Sequence, residues 1–174
     1  MRTSLRRLAL GALLLAVTAR ADITISEGTN ITVDVTDAGL HVIDLVGGLW
    51  LVPPGGGGAE RLPNNLHPAR QPRFDDSGRS IAYVAEQGQS TELWIYDLEA
   101  RSTRPVAAEY GTYDHPDWHP DGDRLVFAAD ADGAGLDIWE LDVSTGLRWR
   151  LTRADGNETW PTSSTCITRA TLTR

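Results

Sequence analysis

Lysine is absent from this 174-residue sequence, cysteine occurs once, and phenylalanine twice. Each shortage excludes something. A lone Cys166 cannot close an internal disulfide, so the fold must be held by packing. With arginine as the only strong base, the Gly55–Gly58 run has no following lysine and cannot be a phosphate loop. No apolar run nears the ~20 residues of a bilayer span; the longest is the ten-residue stretch Leu8 to Val17. The sequence contains neither a Gly-x-Ser-x-Gly elbow nor a His-Glu-x-x-His pair. No catalytic residue is assigned, and the chain is read as a non-enzyme.

That short apolar run belongs to a leader. Arg2, Arg6 and Arg7 precede it, and Ala19-Arg20-Ala21 places small residues where a signal peptidase reads them. Residues 1–21 are therefore expected to be a signal peptide, cleaved before Asp22, and the mature chain to be periplasmic or secreted. Four of the sixteen basic residues (Arg2, Arg6, Arg7, Arg20) lie in this leader, leaving twelve against twenty-four acidic residues, a formal charge of −12. Such a field repels phosphate backbones and anionic lipid. It excludes nucleic-acid binding, and no membrane insertion is expected after cleavage.

What the sequence does have is a repeat. Pro72, Pro116 and Pro161 recur at intervals of 44 and 45 residues, as do Trp50, Trp94 and Trp139; Gly78 and Gly122 are 44 apart. In each of these two units a Pro is followed by a turn ending in Gly, Asp76-Ser77-Gly78 or Asp121-Gly122, then by alternating strand-like runs: SIAYVA and ELWIYDL in one copy, RLVFAA and LDIWELDV in the next. A period of this length, divided into four short strands, is a β-propeller blade. The fold class is all-β, about three four-stranded antiparallel blades forming an incomplete ring. The expected blades are about 30–71, 72–115 and 116–160, within a repeat region spanning 22–162. The first copy is degenerate, with Thr36-Asp37-Ala38-Gly39 as its turn and Pro53-Pro54 before the glycine run. Residues 163–174 break the pattern, carry Cys166, and are expected to be a disordered tail.

The repeating residues carry a resemblance. Pro116-Asp117-Trp118-His119-Pro120-Asp121-Gly122 followed by Leu125-Val126-Phe127 resembles the WD-like blade motif of TolB-like propellers, and Pro72 to Gly78 followed by Ile81-Ala82-Tyr83 is a looser copy. The resemblance covers roughly residues 30–162. It extends to the N-terminal propellers of exported amidohydrolases and of tricorn- or prolyl-oligopeptidase-type proteins. It implies a non-catalytic module that binds a protein or peptide. The alternative it leaves open is a truncated N-terminal propeller of an exported hydrolase whose catalytic domain is absent. Three blades would expose two apolar faces, through which the chain could self-associate.

The resemblance places the residues before the blade prolines, Gln71, His115 and Trp160, around the mouth of the central channel, where binding is expected. The remaining polar clusters imply less. His115 and His119 are four apart, but Pro116 and Pro120 forbid a zinc-binding helix there. No metal ligand and no cofactor are assigned. Asp130, Asp132 and Asp137 resemble part of a calcium loop but lack its closing glutamate, so a solvated hairpin loop is expected and calcium is the one ion left open. Trp50, Trp94 and Trp139 share one repeat position and are expected to pack between blades. Asn30 and Asn157 begin glycosylation sequons.

Overall fold

A computed structural model describes residues 31–63, 67–107, 109, 111–130, 133, 135–153 and 156–162. The expected signal peptide, the Asn30 sequon, Asp132, Cys166 and the tail lie outside the described residues.

Twelve strands form three antiparallel meanders of four, and no helix occurs among the described residues. The first sheet comprises β1 (Val33–Val35), β2 (His41–Leu45), β3 (Gly48–Val52) and β4 (Glu60–Arg61). The second comprises β5 (Ala69–Phe74), β6 (Ser80–Gln87), β7 (Ser90–Asp97) and β8 (Ser102–Ala107). The third comprises β9 (Thr112–Trp118), β10 (Arg124–Asp130), β11 (Asp137–Asp142) and β12 (Arg148–Arg150). Each sheet runs in strict chain order, as a propeller blade does. The first strands of successive sheets are neighbours, β1 beside β5 and β5 beside β9, while the first and third sheets do not touch. The three are therefore stacked in single file around a common inner edge.

Strand period explains the stacking. In β6, five consecutive residues from Ile81 to Ala85 are buried, so both faces are covered. Ile81, Tyr83 and Ala85 join Val42, Leu49 and Leu62 of the first sheet in one core. Ala82 and Val84, with Leu93 and Ile95, join Leu125, Phe127 and Leu141 of the third sheet in another. Alternation along one strand thus feeds two cores. Trp94 packs on the first core and Trp139 on the second. Register confirms the tryptophan repeat: Trp50, Trp94 and Trp139 pair with Ile43, Tyr83 and Phe127 at one position of each sheet.

Each junction also carries a hydrogen bond from a backbone N–H at one repeat position. Ala69 N–H donates to Gly47 O (3.0 Å), Tyr113 N–H to Thr91 Oγ1 (2.6 Å), and Glu158 N–H to Leu136 O (2.7 Å). The third tie shows that residues 156–162 enter a fourth blade position in the same way that β5 and β9 enter theirs. The ties also move the strand starts. Instead of beginning at the prolines, the inner strands begin three or four residues earlier, at Ala69 and Thr112. Pro72 and Pro116 thus lie inside the strands.

Candidate functional site

A proline within a strand has no N–H for the ladder. The chain accommodates it with a bulge. Arg70 pairs with Val84 and Arg73 with Ala82, so Gln71 and Pro72 together oppose the single residue Tyr83. His115 and Pro116 oppose Phe127 in the same way. The residue before each proline takes a positive φ: 55° at Gln71, 48° at His115 and 62° at Trp160. For residues with a Cβ this conformation costs ~1–3 kcal/mol and persists only where surrounding contacts hold it. Bulges re-aim side chains, and here Gln71 and His115 are both re-aimed along the inner edge.

The holding contacts run from sheet to sheet. Asp44, 5% exposed in β2, accepts from Thr32 N–H (2.6 Å) and Thr32 Oγ1–H (2.5 Å). Its Oδ2 also accepts from Gln71 N–H (2.7 Å). Gln71 Oε1 in turn accepts from His115 N–H (2.9 Å). The His115 ring then lies against the Trp160 ring, centroids 3.7 Å apart and tilted by 40°. Each member thus anchors the next one along. A second series lies beside it: Asp34 Oδ2 accepts from Phe74 N–H (2.7 Å), and Arg73 O accepts from Trp118 Nε1–H (3.1 Å).

Trp160, the last member, is 65% exposed. Beneath it is a cavity of about 220 Å³ lined by Arg73, His115, Pro116, Asp117, Trp160, Pro161 and Thr162. Arg70 donates to Asp114 across the junction (2.5 Å). The other Asp114 oxygen is 3.3 Å from His115 Nδ1, at ion-pair distance but outside hydrogen-bond geometry. Burial holds the His115 imidazole below the usual histidine range; Asp114 pulls the other way, and Arg70 and Arg73 add to the depression. His115 is therefore a neutral, flat ring at pH 7, suited to stacking.

The three residues expected at the channel mouth are thus brought into contact in sequence. Reasoning from the repeats missed Asp44, Asp34 and Arg73, which hold or flank them. Asp44 did leave a signal: its position is Val84 in the second sheet and Ala128 in the third, so an acid in the run Val-Ile-Asp-Leu-Val is anomalous. The described residues of the other polar clusters are engaged with neighbours in the chain. His119 Nδ1 is 2.9 Å from Asp121, which also binds Arg124 (2.7 Å); Arg124 pairs in addition with the buried Glu140. Asp137 is buried and paired with Arg150, and Asp130 accepts from Gly133 N–H (2.6 Å).

A family model described as the TolB beta propeller domain matches residues 56–166. The Tol-Pal system protein TolB of Alcanivorax borkumensis is 34% identical over 67 residues, covering 38% of this chain and 15% of that protein. Among solved structures, a putative TolB from Agrobacterium tumefaciens superposes with a TM-score of 0.65 at 16% identity, over 75% of this chain and 48% of that one. A puromycin hydrolase superposes with a TM-score of 0.56 at 21% identity, over 68% of this chain and 20% of that one. The likeness to both structures is one of fold. The chain spans well under half the length of the curated relative.

Proposed function

Since the chain belongs to the TolB beta propeller family, we propose that it is a non-catalytic binding module of the periplasm or cell envelope. It docks a protein or peptide on the inner-edge face where Gln71, His115 and Trp160 meet. The observation that carries this reading is the relay of contacts through three strained pre-proline residues, ending on an exposed tryptophan. Backbone strain retained at one repeat position in three successive blade positions supports reading it as a site. Export rests on the leader-like residues 1–21, and the absence of catalytic work on the lack of any nucleophile motif in the sequence. The test is capture of a partner from envelope extract by the full chain and by a Gln71→Ala/His115→Ala/Trp160→Ala variant of confirmed fold. Capture by the wild type and its loss in the variant supports the reading. Equal capture by both, or capture by neither, contradicts it.

A second reading has one observation in its favour, the shared fold with puromycin hydrolase, of which this chain covers only 20%. On that reading the module is the N-terminal propeller of an exported amidohydrolase or serine peptidase. Translating the downstream nucleotide sequence in all frames decides it. Further blades followed by a catalytic motif support the hydrolase; unrelated sequence after a stop excludes it.

A further inference from the structure

The cavity beneath Trp160 has a chemistry of its own. Its volume, about 220 Å³, falls below the ~300–1,000 Å³ of sites for whole small molecules. It has room for one residue of a larger ligand. Its apolar walls are rings: the His115–Trp160 pair, Pro116 and Pro161. Its cation is Arg73, half-buried in β5 and free of any ion pair among the described residues. Of the five guanidinium donors, one is used, by Pro72 O at 2.9 Å. The contrast with Arg70 is direct. Arg70, three residues earlier on the same strand, pairs with both Asp114 and Glu86.

An arginine without an ion pair among the described residues, set in a recess of a chain with twenty-four acidic residues, offers its remaining N–H donors to a carboxylate. Guanidinium and carboxylate match as a planar fork, and partial burial strengthens the pair relative to the open surface. Resting on the inner-edge binding face proposed above, we propose that this cavity anchors a peptide residue carrying one carboxylate beside an aromatic or proline ring. The carboxylate pairs with Arg73 and the ring lies on Trp160. It comes either from the C-terminus of the ligand or from an Asp or Glu next to the ring.

Three synthetic probes separate the sources: Gly-Gly-Gly-Phe with a free C-terminus, its C-terminal amide, and Gly-Gly-Asp-Phe amide. Each is titrated into the full chain by calorimetry, with the His115 ring-proton resonance as a site-specific readout. The expected result is binding of one or both acidic probes about tenfold tighter than the neutral amide, with a shift at His115. Arg73→Gln should remove that preference and Arg73→Lys keep part of it. Which acidic probe binds names the source. Equal affinity for all three probes, or a preference that survives Arg73→Gln, overturns the carboxylate assignment while leaving ring docking on the inner edge intact. Binding of none of them also overturns it. The broader reading then stands or falls separately, on whether the triple-alanine variant loses its captured partner.

Discussion

The first and second sheets are copies of one repeat, yet they are buried differently. In the second, β6 is buried at five residues running, with a neighbouring sheet on either side. In the first, β2 alternates between buried and half-buried, and Val33 and Val35 of β1 are exposed, as is Ile31 before it. Sequence character does not account for all of this, since Ile43 of β2 is half-buried where its counterpart in β6, Tyr83, is fully buried. The difference is the number of neighbours: the first sheet has one among the described residues, the second has two. A blade's burial is a property of its place in the stack.

That comparison can be broken most severely in the second sheet. Leu93 is fully buried and faces the third sheet; Leu93→Ala should cost about 3 kcal/mol in urea denaturation. Val33→Ala on the exposed strand of the first sheet should stay within ~0.5 kcal/mol. Next in size is Asp44→Ala, which strands the two N–H donors of Thr32 and Gln71 and should cost about 2 kcal/mol. The same position in the second sheet is Val84, so Asp44 is a substitute for packing that only the first junction uses.

A third prediction reverses sign. The hairpin of the first sheet turns at Val46-Gly47 with Val46 at φ 51°, whereas that of the second turns through Gly88 at φ 63°. A β-branched residue is poorly suited to that conformation, so Val46→Asn should raise stability by ~0.5–1 kcal/mol. Smallest is a pH effect at His115, whose depressed pKa arises mainly from burial. Its contribution is complete above the unfolded value of about 6.5 and is lost as pH falls from there through the lower folded value. The stability difference between wild type and His115→Gln should therefore narrow between pH 7.5 and pH 5, measured by denaturation midpoints.

The repeat was legible in the sequence because Pro, a turn glycine and Trp recur in one order, 44 or 45 residues apart in the last two copies, and that interval located the sheets and the tryptophan register. The pre-proline positions were singled out by the family resemblance, not by the period itself. The contacts between them were not. At one junction a carboxylate of Asp34 takes a backbone N–H, and at the next a backbone carbonyl of Arg73 takes an indole N–H. The geometry repeats while the chemistry changes, so no residue pattern reveals it. The bulge was hidden likewise: the repeat put the blade starts at Pro72 and Pro116, whereas a left-handed residue before each proline lets the strand run through it.

The central claim is that the inner edge ending at Trp160 is the docking face. Photo-crosslinking tests it most directly. A photoreactive phenylalanine placed at position 160, which keeps a ring there, is compared in envelope extract with the same group at Asp76, an exposed residue in the turn beyond the far end of β5. The account predicts a discrete adduct with a protein or peptide from position 160 and none from position 76. Adducts from position 76 with none from position 160 would contradict it.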